Sequence, residues 1–253
     1  MAQLDVCVPL HPRNLICAGM NYRKHVLDFF QDEEERAGWA DRLDKRAKDG
    51  LSFMFSKPVG AITTAEADIE IPHGVEMLDW EIELVAVIGR KAWRVDRSEA
   101  LDYVAGYTIG NDISARDLMP RDDVQPGLHD FFGGKSGPGF NPIGPFILPS
   151  RFVPDPQKLH LTLRLNGQIM QDEGAEDMID SVAKLIEFAS SRTILYPGDL
   201  ISTGSPSGNA KLHNRYLKDG DVIEGEIPQI GRQLLRFRRE AVISKPKMVT
   251  VEA

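Results

Sequence analysis

The stretch Asp79-Trp80-Glu81-Ile82-Glu83-Leu84-Val85-Ala86-Val87-Ile88-Gly89 sets two carboxylates two residues apart at the head of an apolar run. Residues i and i+2 of an extended strand point to one face. Glu81 and Glu83 therefore share a face with Val85 and Val87, and Trp80, Ile82, Leu84 and Ala86 line the other. A strand apolar on both faces is a central strand. Two carboxylates buried side by side in it must be protonated, paired with a cation or bound to metal. The alternative is a strand that begins near Leu84, leaving both glutamates solvated at its mouth.

A second apolar run, Tyr103 to Gly110, passes into Asn111-Asp112-Ile113-Ser114-Ala115-Arg116-Asp117, so a third carboxylate stands where another strand ends. Three oxygen donors with no nearby Cys or His ligand pair favour a hard cation, Mg²⁺ or Mn²⁺ before Zn²⁺, with positions left for water and substrate. Such a site does Lewis-acid chemistry.

Upstream, Arg13 to Met20 reads as a first strand delivering Asn21 and Tyr22. Residues 23–48 are rich in helix formers and charge, and read both as a solvated helical pair and as a lid, since lids come from weakly packed polar segments. Of the six histidines, only His25 has a defensible partner. On a helix i and i+3 share a face, so Asp28 can accept from one ring nitrogen and leave the other basic. His11, His73, His129, His160 and His213 have none. Lys57 closes a strand and reads as structural.

Ser98 to Val104 reads as a short helix with a Ser cap. Residues 133–145 hold so many Gly and Pro that they form a shaped loop, in which Lys135 is the sole lysine. Leu159, Leu161, Leu163 and Leu165 alternate with polar residues before Asn166-Gly167, a type I′ hairpin signature. Apolar residues recur at helical spacing over Glu176 to Ser190. The loop Thr203-Gly204-Ser205-Pro206-Ser207-Gly208 follows a short strand and is not a phosphate-binding loop. Asp221 to Ile227 and Leu234 to Arg238 read as strands, and Lys245 to Ala253 as a tail.

At 253 residues the chain can bury a substantial core. Its 38 acidic against 30 Lys and Arg residues give −8, which argues against nucleic acid or an anionic membrane as partner. No run reaches the ~18 apolar residues of a membrane span and no leader pattern opens the chain, so a cytoplasmic location is the default expectation. Cys7 and Cys17 are too few for a disulfide framework and read as packing residues.

Taken together and in order, Gly19-Met20-Asn21-Tyr22-Arg23-Lys24-His25, Phe53 to Pro58, Asp79 to Gly89, Gly106 to Leu118, Gly134-Lys135-Ser136, Asn141 to Pro145 and Pro197 to Pro206 resemble the fumarylacetoacetate hydrolase superfamily, over Ile16 to Phe237. The resemblance implies a mixed, predominantly β (α+β) fold, a β-roll or sandwich with a mobile helical lid, in which residues 1–50 form the N-terminal strand and lid segment and 51–253 the catalytic part. It implies a homodimer. Glu81, Glu83 and Asp112 match the family's Mg²⁺ or Mn²⁺ ligands, and His25 with Asp28 its water-activating dyad. Lys135 matches a lysine that stabilises negative charge on the substrate, and Arg116 an arginine that meets a substrate carboxylate or oxygen. Tyr22 is expected to bind substrate, and Thr203 falls in the loop that contacts the bound keto acid. Two departures stand out: Met119 where many members carry Gln, and Gly137-Pro138-Gly139 after Lys135-Ser136. They imply a less polar pocket and a larger or less charged substrate.

The expectation is a metal-dependent hydrolase that cleaves a carbon–carbon bond in a 1,3-dicarbonyl compound, its partner a small keto or diketo acid. The runner-up is a decarboxylase, hydratase or isomerase on the same enolate chemistry. The remaining alternative is a metal-binding protein without turnover.

Overall fold

Ile82–Ile88 is the middle strand of a seven-stranded sheet in a computed structural model that describes residues 7–241. From edge to edge the sheet runs Met54–Lys57, Leu15–Ala18, Leu200–Ser202, Ile82–Ile88, Val104–Asn111, Asn141–Pro149 and Ile62–Thr64. All seven residues of the middle strand are buried, as a strand apolar on both faces requires. Ile82, Leu84, Ala86 and Ile88 enter the main core, and Val85 and Val87 enter a second cluster with Leu15, Cys17, Ile143 and Leu200. Glu83 is buried on the face of Val85 and Val87, and Glu81 is buried just before the strand. The alternative of two solvated glutamates is thereby overturned.

The second sheet has five strands in the order Gln168–Gly174, His160–Leu165, Val222–Ile227, Gly231–Arg239 and Glu66–Ile71. Its first hairpin turns at Asn166 and Gly167, with φ of 51° and 82°, the two positive values of a type I′ turn. Leu161, Leu163, Ile223, Leu235, Phe237 and Ile69 face inward and share the main core with Ile82 and Leu84 of the larger sheet. A two-stranded ribbon, Leu78–Asp79 against Ser114–Ala115, runs beside them. The fold is mixed α+β and dominated by strands.

Two helical readings need correction. The helix expected over residues 176–190 is Val182–Arg192, because the Ser181 side chain accepts from the Lys184 amide and fixes the start. Ala175–Asp177 is a separate 3₁₀ turn. The short helix after Ser98 is a 3₁₀ turn, Ala100–Tyr103, and Ser98 does not cap it, since its amide and hydroxyl both donate to Asp96.

In the N-terminal segment a five-residue helix, Arg23–Leu27, precedes a long one, Glu33–Asp49. Asp32 caps the long helix by accepting from the amides of Glu34 and Glu35, and Glu33, Glu34 and Glu35 fill its first turn, where the helix dipole favours negative charge. Most of this helix is exposed, but Leu43 packs with Val26, Leu27 and Ile179, and Trp39 stacks on Phe30 at 4.8 Å. The buried Asp180 carboxylate ties the helix down through Arg46 at 2.7 Å and is paired as well with Lys184 at 2.8 Å. Leu15–Ala18 of the same segment lies within the larger sheet, between Met54–Lys57 and Leu200–Ser202. The tail read at Lys245–Ala253 lies outside the described residues. Among those described, no helix is long and apolar enough to cross a membrane.

Candidate active site

The Glu81 amide donates to Asn111 Oδ1 at 3.0 Å and its carbonyl accepts from the Asp112 amide at 2.8 Å. These two bonds, at the shared end of the strands Ile82–Ile88 and Val104–Asn111, set Asp112 beside Glu81. Asp79, two residues earlier, is fully buried and accepts from the amides of Trp80 and Ala210 at 2.8 and 2.7 Å.

Three cations meet these acids. Lys57, at the end of Met54–Lys57, reaches Asp112 Oδ1 and the Phe140 carbonyl. Lys135, at the end of the helix Phe131–Lys135, donates to Glu81 Oε2 at 2.7 Å, to Asp112 Oδ2 and to the Ser114 hydroxyl at 2.7 Å. Arg116 donates through Nε to Asp79 at 2.8 Å and through Nη2 to Glu81 at 2.6 Å. Four buried carboxylates thus face three cations, and Glu83 is the acid left over. Among the described residues it is in no ion pair and accepts from the Ser202 hydroxyl.

The charge states follow from this pairing. Burial pushes the Glu81 carboxyl up, but Arg116 and Lys135 overcome it and hold the group well below the usual carboxylate range. Burial also opposes charge on Lys135, yet Asp112 and Glu81 keep its ammonium protonated above the ordinary lysine value. For Glu83, burial and then the neighbouring Asp112 and Glu81 carboxylates act in one direction and push it well above its ordinary value.

These residues line a cavity of about 600 Å³ that also exposes His25, Phe29, Phe53, Phe55 and Phe131. His25 is buried, its ring edge-on to Phe29 with centroids 5.2 Å apart. Burial lowers its pKa below the ordinary 6.5, so the imidazole is neutral at pH 7. Among the described residues no hydrogen bond joins His25 to Asp28. The Asp28 carboxylate accepts from the Ser207 hydroxyl instead and lines an adjoining cavity that His25 also reaches.

Other expected site residues are placed differently from their sequence readings. All three hydrogens of the Lys135 ammonium are spent on protein oxygens, so it bears on substrate through the carboxylates it holds. Arg116 lines the cavity with two of its nitrogens committed to Asp79 and Glu81. The Thr203 hydroxyl donates to the Leu84 carbonyl at 2.8 Å. Tyr22 is fully buried behind the wall, near Glu83 and Thr203. Neither Thr203 nor Tyr22 lines the cavity. Met119 does not replace an amide in the pocket. It is buried against Gly134, where a Cβ would stand 2.4 Å from Met119 Cγ.

Glu81, Glu83 and Asp112 share the cavity, but among the described residues no three His, Cys, Asp or Glu side chains converge as a preformed metal cage. The Lys135 ammonium bridges Glu81 and Asp112 instead. The donor chemistry nevertheless fits a hard divalent ion, with carboxylate oxygens only and one acid, Glu83, whose charge no side chain balances.

Lys57, Asp79 and the phenylalanines are the site residues missed in the sequence. Lys57 looked like an ordinary lysine closing a strand. The alternation of Phe53 and Phe55 in Phe53-Met54-Phe55 was the available signal for the aromatic wall.

Proteins of similar sequence and fold give the family. A sequence profile described as fumarylacetoacetate (FAA) hydrolase C-terminal matches residues 14–238. The chain belongs to the fumarylacetoacetate hydrolase family. The oxaloacetate tautomerase YisK of Bacillus subtilis is 35% identical over 233 residues, spanning 90% of this chain and 71% of that protein. A 2-hydroxyhepta-2,4-diene-1,7-dioate isomerase from Mycobacterium marinum superposes with a TM-score of 0.74 at 30% identity, over 93% of this chain and 78% of that one. A fumarylacetoacetate hydrolase from Exiguobacterium antarcticum gives 0.75 at 31% identity, over 92% and 78%.

Replacing Lys57 with Met leaves the buried Asp112 with one cation in place of two. Lys135 still pairs with Asp112, so the loss is that of a buried charge-assisted hydrogen bond, about 1.5–3 kcal/mol. Urea unfolding in chelator-containing buffer should show a loss of about that size for Lys57→Met, against a negligible change for the exposed Lys158→Met. Equal stabilities would remove Lys57 from the site's charge balance.

Proposed function

We propose that this chain is a keto-acid tautomerase or isomerase, which moves a proton between oxygen and carbon next to a carbonyl. The observation that carries this reading is the state of His25: buried, neutral and on the cavity wall, with Asp28 turned to Ser207. A water-activating base is normally held and strengthened by a carboxylate on its second nitrogen. Among the described residues His25 has no hydrogen bond to such a carboxylate. A weak neutral imidazole suffices where the proton comes from an enol oxygen or from a carbon acidified by two carbonyls. The names of the relatives, a tautomerase at 35% identity and an isomerase at TM-score 0.74, support the same reading.

In the enol-to-keto direction one proton leaves the enol oxygen and one is added to the neighbouring carbon, so substrate and product hold the same atoms. His25 accepts and returns the proton. Arg116 has its Nη1 hydrogens free of carboxylate partners, its nearest acceptor there being the Met119 sulfur at 4.0 Å, and offers them to the substrate carboxylate. Lys57 and Lys135 hold the Asp112 carboxylate in place, and Lys135 with Arg116 keeps Glu81 ionised. Glu81, Glu83 and Asp112 would hold Mg²⁺ or Mn²⁺, whose chemistry here is electrostatic stabilisation of negative charge on the substrate oxygens.

Carbon–carbon hydrolysis is the second reading, favoured by the adjoining cavity in which His25 and Asp28 meet the same solvent. It requires Asp28 to leave Ser207 and orient the imidazole. The two readings separate on products. With Mg²⁺ or Mn²⁺ present, enolic oxaloacetate should lose its enol absorbance with carbon count unchanged by mass spectrometry, and His25→Ala should lower kcat/KM at least about 100-fold. Two smaller acids in stoichiometric yield from a 2,4-diketo acid, without tautomerase activity, would establish hydrolysis instead.

The pH profile tests the proton carrier. His25 must be neutral to accept, and its lowered pKa keeps it neutral down to below 6.5. The acid limb of kcat/KM should therefore fall below pH 6.5. A limb above that value would point to a different base.

A further inference from the structure

The cavity's size and lining describe the far half of the substrate. At about 600 Å³ it falls among clefts that hold drug-sized ligands, far more room than a four-carbon keto acid fills. Besides its charged groups, the lining includes four phenylalanines, with Met20 and Leu128. Phe55 lies beneath the Lys135 ammonium, 5.6 Å from ring centroid to Nζ, and stacks on Phe131 at 4.7 Å and 13°. Phe53 stands against the same Phe131 ring at 6.0 Å. Phe29, edge-on to His25, carries the Lys211 ammonium over its own face at 5.4 Å.

The aromatic wall is built in. Gly19 carries no side chain where the Phe53 ring passes, and a Cβ at that position would stand 2.6 Å from the ring. Phe29 and Phe53 keep 43% and 42% of their surface exposed. These are apolar ring faces beside a proton carrier and a charged cluster, where water gains little and a second aromatic ring gains stacking.

Resting on the keto-acid reading above, we propose that the substrate is a 2-keto or 2,4-diketo acid whose end remote from the carboxylate carries an aryl group, and that Phe53, Phe55 and Phe131 determine this specificity. The carboxylate and keto oxygens lie toward Arg116 and the acidic cluster, and the aryl ring fills the phenylalanine slot. A second carboxylate in place of the ring would be desolvated against phenyl faces.

The test compares kcat/KM for 4-phenyl-2,4-dioxobutanoate, 2,4-dioxopentanoate and oxaloacetate, with Mg²⁺ or Mn²⁺ present. The aryl acid is expected to be favoured at least about tenfold, the effect of one or two aromatic contacts. Phe131→Leu should shrink that preference to about threefold or less. Phe53→Leu, at the more exposed ring, gives the same readout if Phe131→Leu does not fold, with circular dichroism melts checking both. Equal or reversed preference, or a preference that neither variant moves, would overturn the proposal while leaving the keto-acid reading intact. Turnover of none of the three acids would instead sink the keto-acid reading, and calorimetric Kd values then decide the specificity. Aryl binding tenfold tighter than oxaloacetate supports the aromatic slot, and equal affinity overturns it.

Discussion

Four carboxylates buried at the end of a central strand, with only three cations to meet them, set the terms for this site. Taking a carboxylate out of water costs several kcal/mol even after relaxation, so these acids are met by cations: Arg116 pairs with Asp79 and Glu81, Lys135 with Glu81 and Asp112, and Lys57 with Asp112. The surrounding structure supplies those partners from separate elements. Lys57 comes from the edge of the larger sheet, Lys135 from a five-residue helix, and Arg116 from the turn beyond the two-stranded ribbon. Glu83, second in the apolar strand, has no such partner among the described residues, and burial together with the neighbouring Asp112 and Glu81 carboxylates pushes it toward the neutral form.

The same pairing limits what each side chain can do for a substrate. Lys135 is fully engaged with protein oxygens, so its positive charge maintains the acids. Arg116 retains one nitrogen free of carboxylates. His25, packed against Phe29, lines the cavity and is the proposed proton carrier. Membership of a family whose named members include tautomerases, isomerases and hydrolases leaves the reaction to these local details, and the proposed proton transfer rests on Asp28 bonding to Ser207.

What was legible in the sequence was what short-range periodicity encodes. Alternation placed Glu81, Glu83, Val85 and Val87 on one face, Asn166-Gly167 announced its hairpin, and the motif order pointed to the family and hence to the acids, His25 and Lys135. What was not legible depends on contacts between distant residues. Asp28 is on the same short stretch as His25, yet its partner, Ser207, lies 179 positions away. Arg116 and Asp79 are 37 apart, and Lys57 and Asp112 are 55 apart. Thr203 belongs to a loop matched by motif, but strand pairing turns its hydroxyl to Leu84. Met119 was read into the pocket from its place after Arg116-Asp117-Leu118 in the family motif, whereas the absence of a side chain at Gly134 lets it bury against that residue.

We propose that Glu83, pushed toward the neutral form while it has no cation beside it, becomes charged against a divalent ion held together with Glu81 and Asp112. Isothermal titration of chelator-stripped protein with manganese chloride tests it most directly, comparing the native chain with Glu83→Gln. The account predicts a single saturable site per chain whose affinity falls at least about tenfold, or roughly 1.4 kcal/mol, when Glu83 loses its charge. Absence of saturable binding, or equal affinity in the variant, would contradict it.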